Sequence, residues 1–188
     1  MILLTAIATG LLAGWGYARW KGAAWQSPVF RVTWLVALGF VPQLVAVYLP
    51  STRKLLTNEA ASLCLISSQI LLLFFTSLNI RIPGMPVLAL GLACNLTVIL
   101  ANGGFMPLST ETASRLVSPM VLDRLTVGER VSSASKDILL REPSIRLPWL
   151  ADRFVPPQNF PYRFAFSLGD IFIALGTFWI LARGKHSH

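Results

Sequence analysis

Hydrophobic residues fill 54% of the 188 positions of this chain, so the side chains able to do chemistry are few and stand out. Asp170, in "FSLGDIFIALG", is the one ionisable group inside an apolar run. A carboxylate in hydrocarbon is costly unless paired or protonated, so it marks a structural contact, a ligand site or an acid/base. The other polar groups in such runs are Gln43, Ser67, Ser68, Gln69, Asn95 and Thr97. Of these, Gln69 is a candidate to satisfy Asp170, together with Asn102, Arg163 and Ser167, three residues before it. Asn95 and Asp170 could instead line a polar ligand pocket open to the outside. Paired acid/base work needs a second carboxylate or a histidine. The candidates are Asp123 in "VLDRL" and Asp152 in "LADRF". Arg124 directly follows Asp123, which suits an ordinary surface ion pair. Cys64 and Cys94 lie in apolar runs without metal-ligand spacing, so neither a metal site nor a disulfide is expected. No motif specifies a cofactor.

A second stretch, "ILANGGFMPLST" (99–110), stops an apolar run at Asn102-Gly103-Gly104. Either glycine can take φ > 0 and close a helix in a C-cap geometry. Asn102 is then expected at the rim of the membrane, above Asp170.

The elements that must position these groups are five apolar runs: 2–18, 32–50, 60–80, 85–101 and 164–182. None contains Lys or Arg, and Glu59 borders the third. Each is near the roughly 20 residues that a helix needs to cross a bilayer. Charged residues are 13% of the chain, about half the share of a soluble domain. The fold class expected is an all-α membrane protein of five transmembrane helices. Small-residue faces on the first (Gly10, Gly14), fourth (Gly84, Gly91) and fifth runs (Gly169, Gly176) suit helix packing.

The net charge of +8 sets orientation rather than a nucleic-acid partner. Arg19, Lys21, Arg31, Arg81, Arg183 and Lys185 fall in short segments on one side, against Arg53 and Lys54 on the other. The excess of basic residues on the first side places the N-terminus outside and the C-terminus in the cytoplasm. The first run lacks a basic n-region and is followed by Arg19 and Lys21, so it is expected to be a retained anchor rather than a signal peptide. The location expected is the bacterial cytoplasmic (inner) membrane, multi-pass.

Three parts follow: 1–104, four helices; 105–163, an extracytoplasmic insert; and 164–188, the fifth helix and a cytoplasmic tail. In the insert, "STETASRLVS" predicts a short helix starting at Ser109 or Thr110. "SPMVLDRLTVG" predicts another, with Ser118 as N-cap, Pro119 first and Gly128 just past its end. "SSASKDILL" is expected to add one more helical turn. Prolines 148, 156, 157 and 161 bar a regular helix from "IRLPWLADRFVPPQNFPYRF", whose aromatics and arginines suit the headgroup layer.

Taken in order, "ILANGGFMPLS", "LADRFVPPQ" and "FSLGDIFIALG" resemble a family of uncharacterised bacterial integral membrane proteins, a domain-of-unknown-function family. Its pattern is an Asn-Gly-Gly-x-Met-Pro turn, a Leu-x-Asp segment with prolines, and a Ser-x-Gly-Asp last helix. The resemblance implies a fold and no reaction. "VLDRL" followed by "FAFSLGD" is also similar to the two catalytic-Asp motifs of lipoprotein signal peptidase. Here no Gly-Asn precedes "VLDR", and five spans stand where four are expected.

The leading expectation is a non-enzymatic protein: an accessory or structural subunit of a larger bacterial membrane complex, or a scaffold contacting lipid or quinone-like molecules. Its partners would be membrane lipids and other membrane subunits. The alternatives are an intramembrane aspartyl hydrolase using Asp170 with Asp123 or Asp152, and a small-molecule transporter. The lack of an inverted repeat disfavours the last.

Overall fold

The computed structural model describes residues 2–157, 160 and 162–187. Pro161, one of the prolines expected to interrupt the segment before the last helix, lies outside the described residues. The protein is mostly helical, and the five apolar runs form helices α1 (Ile2–Trp20), α2 (Trp34–Gln43), α3 (Asn58–Leu78), α4 (Met85–Ala101) and the last apolar helix, Leu168–Arg183. Two of them, Ile2–Trp20 and Asn58–Leu78, are long and apolar enough to cross a membrane. Helix α2 continues through a π-helical turn, Leu44–Tyr48. Pro42 sits just before it and donates no backbone hydrogen bond, a local reason for the change of pitch.

The principal contacts order the apolar helices in a row: α1, the last helix, α4, α3, α2. Glycines set the two tightest seams. A Cβ on Gly14 would lie 2.4 Å from the Leu181 carbonyl oxygen, and one on Gly91 would lie 2.5 Å from that of Gly169. Backbones this close gain dispersion contacts along their whole length, the usual source of helix association in a membrane. At the far end of the row, Gln43 donates to the Ser68 hydroxyl at 2.7 Å.

The insert corrects the all-α expectation. Strand β2 (Met106–Ser109) runs parallel to β3 (Asp137–Leu140), joined through α5 (Thr110–Leu116) and α6 (Pro119–Leu122). A second pair, β1 (Ala24–Gln26) and β4 (Lys185–Ser187), is antiparallel beside the ends of α1 and the last helix. That last helix is α7 (Leu168–Arg183). "SSASKDILL" thus forms a strand rather than a helical turn. Leu139 is buried against Leu108 and Ala113, and four residues cannot bury an apolar run as a helix can. The helix expected over 118–128 is one turn only, because Gly128 (φ +92°) donates to the Leu139 carbonyl at 2.7 Å and joins the sheet. Ser109 caps α5 by accepting from the Thr112 amide.

Candidate functional site

Helix α7 begins at Leu168, four residues later than the apolar run, because Ser167 and Asp170 form a capping box. The Ser167 hydroxyl accepts from the Asp170 amide at 3.1 Å, and the Ser167 amide donates to Asp170 Oδ2 at 3.1 Å. Two orphan donors of the first turn are satisfied reciprocally. Asp170 therefore sits in the first turn of its helix, not two turns deep.

Asn95, buried on α4, closes this cap from the neighbouring helix. Its Nδ2 donates to Asp170 Oδ1 at 3.0 Å, and its Oδ1 accepts from the Ser167 hydroxyl at 2.9 Å. Gly169 makes the room: a Cβ there would stand 2.0 Å from Asn95 Oδ1.

The charge partner of Asp170 is Lys136, which the sequence reading passed over. Its ammonium lies 3.2 Å from Asp152 Oδ2 and 3.7 Å from Asp170 Oδ2. Backbone bonds to β2 fix both cap residues: the Met106 amide donates to the Lys136 carbonyl at 3.0 Å, and the Asp152 amide donates to the Pro107 carbonyl at 3.2 Å. The Asp152 side chain is 1% exposed, and that of Lys136 38%. Among the described residues these buried oxygens have the Lys136 ammonium as their polar contact.

Burial pushes the Asp152 carboxyl up to about 8, against the pull of Lys136 and with help from Asp137 and Asp170. For Lys136, burial works against the charge, yet Asp152, Asp170 and Asp137 outweigh it and hold the ammonium above its usual range. The physical sense is charge balance. Two carboxyls share one ammonium in a poorly solvated place, which favours the protonated form of Asp152, the more deeply buried of the two.

The other expected residues lie elsewhere. Asn102 does not reach Asp170: its Nδ2 donates to the carbonyls of Val98 and Arg146, both at 2.8 Å, and its Oδ1 accepts from the Arg146 amide at 2.9 Å. It clamps the cap to the end of α4. Gly103 (φ +77°) and Gly104 (φ +88°) follow it, and the Gly104 amide donates to the Ile99 carbonyl at 2.9 Å, a Schellman closure. Arg163 donates to the Arg115 carbonyl at 2.9 Å instead of serving Asp170. Gln69 Oε1 is buried and accepts no hydrogen bond. Asp123 is exposed just past the end of the short α6, and the carboxylates that share Lys136 are Asp152 and Asp170.

Asp152 also borders a cavity of about 490 Å³ that Ser109, Glu111, Arg115, Glu142 and Arg153 help to line. Among the described residues no cluster of His, Cys, Asp and Glu is suited to a metal ion. The arrangement can hold the cap on the helix ends through charge, and it can move a proton between two carboxyls and an amine. Lys136 had one readable sign: a carboxylate in an apolar run requires a cation, and the insert holds eight basic residues.

No curated protein and no solved structure matches this chain. A family model does match, over residues 28–182, and the chain belongs to that family, DUF5317, a family of unknown function.

Proposed function

We propose that this is a five-span protein of the bacterial cytoplasmic membrane, N-terminus outside, serving as a non-catalytic accessory or structural subunit of a larger membrane assembly. In this reading α1, α2 with its π-helical turn, α3, α4 and α7 cross the bilayer, and 105–163 form an extracytoplasmic cap. Helices of 16 or 17 residues, such as α7 and α4, are shorter than a bilayer core and are accommodated by local thinning. The Lys136 cluster is the clasp that holds the cap down.

One observation carries the non-catalytic reading: both Asp170 oxygens are engaged by donors from the chain itself, namely Asn95, the Ser167 amide and Lys136. A carboxylate so occupied has no oxygen left for an external substrate. The row of helices supports the subunit reading, since α1 has α7 as its principal helix neighbour and leaves Leu4, Leu12 and Trp15 exposed to lipid, a quinone-like molecule or another subunit. The test is native mass spectrometry after extraction in mild detergent. A stoichiometric complex of membrane proteins is expected, and a lone monomer would contradict the subunit role. Labelling of introduced cysteines should find 20–30 and 184–188 cytoplasmic and 105–157 outside.

A second reading is an intramembrane aspartyl hydrolase using Asp152 and Asp170. What favours it is the placement of both carboxyls on one ammonium, with Asp152 at the edge of a polar cavity. It predicts that Asp152→Asn keeps full stability and abolishes cleavage of a membrane-anchored peptide, whereas the clasp predicts a loss of stability.

A further inference from the structure

A lysine and an aspartate in contact usually form nothing more than an ion pair, because water keeps both charged and mobile. Lys136 and Asp152 differ in three respects. Neighbouring residues of β2, Met106 and Pro107, hold their backbones in register. The Asp152 carboxyl is buried, and among the described residues its polar contact is the Lys136 ammonium itself. A third group able to carry protons, the Asp170 carboxylate, touches the same ammonium at 3.7 Å. Groups held in fixed orientation near contact gain a large rate advantage over free ones, and Nζ, 3.2 Å from Asp152 Oδ2, stands beside the carboxyl whose Cγ it would attack.

We propose that Lys136 and Asp152 become joined by an intramolecular isopeptide bond, with Asp170 as the proton carrier. The inference rests on the reading of this cluster as a clasp and makes the clasp covalent. The Lys136 ammonium gives one proton to Asp170, and the freed lone pair of Nζ attacks Cγ of the protonated Asp152 carboxyl. The Nζ–Cγ bond forms and the bond from Cγ to the hydroxyl oxygen breaks. Asp170 returns its proton to the leaving hydroxyl and accepts one from nitrogen. The sum is an ammonium and a carboxylic acid converted into an amide, one water and one proton, with no change of oxidation state; the proton ends on Asp170 and passes to solvent, which restores the carboxylate. The buried position of Asp152 favours its protonated, electrophilic form. The product links residues 136 and 152 across β2 and removes the ammonium charge from a poorly solvated place, which offsets part of the cost that buried charges carry.

The experiment is the intact mass of the purified full-length chain in detergent, followed by fragmentation of its digest. The expected mass is lower than that of the sequence by one water, with a branched peptide joining Lys136 to Asp152. Lys136→Arg keeps the charge, cannot form the bond, and should restore the full mass. Asp170→Asn should leave most of the protein at full mass, assigning the proton transfer. A wild-type chain at full mass after prolonged incubation at neutral pH overturns the proposal, as does a water loss mapped to any other residue. Either result would leave the ionic clasp standing, because that is read from stability. Cross-linking undiminished in Asp170→Asn would overturn the role given to Asp170.

Discussion

The Asn-Gly-Gly turn makes a prediction that separates two effects. Both glycines have positive φ, so an alanine at either costs about 1 kcal/mol of left-handed strain. Their surroundings differ. A Cβ on Gly103 would meet nothing within 4 Å, whereas one on Gly104 would stand 2.4 Å from Ser62 Cβ and 2.8 Å from its Oγ. Forcing an extra methyl into such a place costs roughly 1–3 kcal/mol more. Gly103→Ala should therefore cost about 1 kcal/mol and Gly104→Ala about 2–4 kcal/mol. For a protein of this length that is roughly 2–4 °C against roughly 4–16 °C in Tm. The assay is thermal unfolding in detergent, followed by tryptophan fluorescence. Ser62→Gly removes the obstructing Cβ from α3, at a helix-propensity cost of about 0.5–1 kcal/mol. In the Gly104→Ala background it should recover most of the clash, so the double variant is more stable than the two single losses predict. Equal losses at 103 and 104, or strict additivity with Ser62→Gly, would refute the placement of the turn against α3.

Lys136→Met removes the cation that Asp152 and Asp170 share. Removing one partner of a fully buried pair costs about 3–5 kcal/mol, and because Lys136 is 38% exposed we expect about 2–3 kcal/mol. Adding Asp152→Leu should restore most of that loss, measured by the same unfolding assay. Stability should also fall as pH rises from about 5 to 9: folded Asp152 keeps its proton up to about 8, an unfolded carboxyl releases it near 4, and the folded state therefore binds more protons across that window. Asp152→Asn should flatten this part of the Tm–pH curve. Gly169→Ala would drive a methyl onto Asn95 Oδ1 and break its bonds to Ser167 and Asp170, a loss of about 2–4 kcal/mol by thermal unfolding.

The helices were readable because a long apolar run free of charge satisfies its own backbone polar groups as a helix. The start of α7 was readable too, since Ser167 and Asp170 stand at capping-box spacing; the longer apolar run masked it. The cap was legible only in part. Ser109 announced α5, but "DILL" is too short to show a period, and its parallel partner "MPLS" lies some thirty residues earlier. The clamp between Asn102 and Arg146 joins a side chain to a backbone 44 residues away, which no local pattern records. Asp170 and Asp152 were singled out by chemistry, and Asn95 and Ser167 by their place in apolar runs. Lys136 was lost among eight basic residues of the insert, because a lysine in a polar stretch reads as a solvated charge until the fold closes around it.

Hydrogen–deuterium exchange of Lys136→Met beside the wild-type protein tests most directly whether this cluster fastens the cap. The amides of β2, β3 and the first turn of α7 should exchange faster in the variant, while those of α1, α2 and α3 keep their protection. Unchanged protection of the cap in a variant that remains folded would contradict the clasp and leave Asp152 and Asp170 to be explained by chemistry.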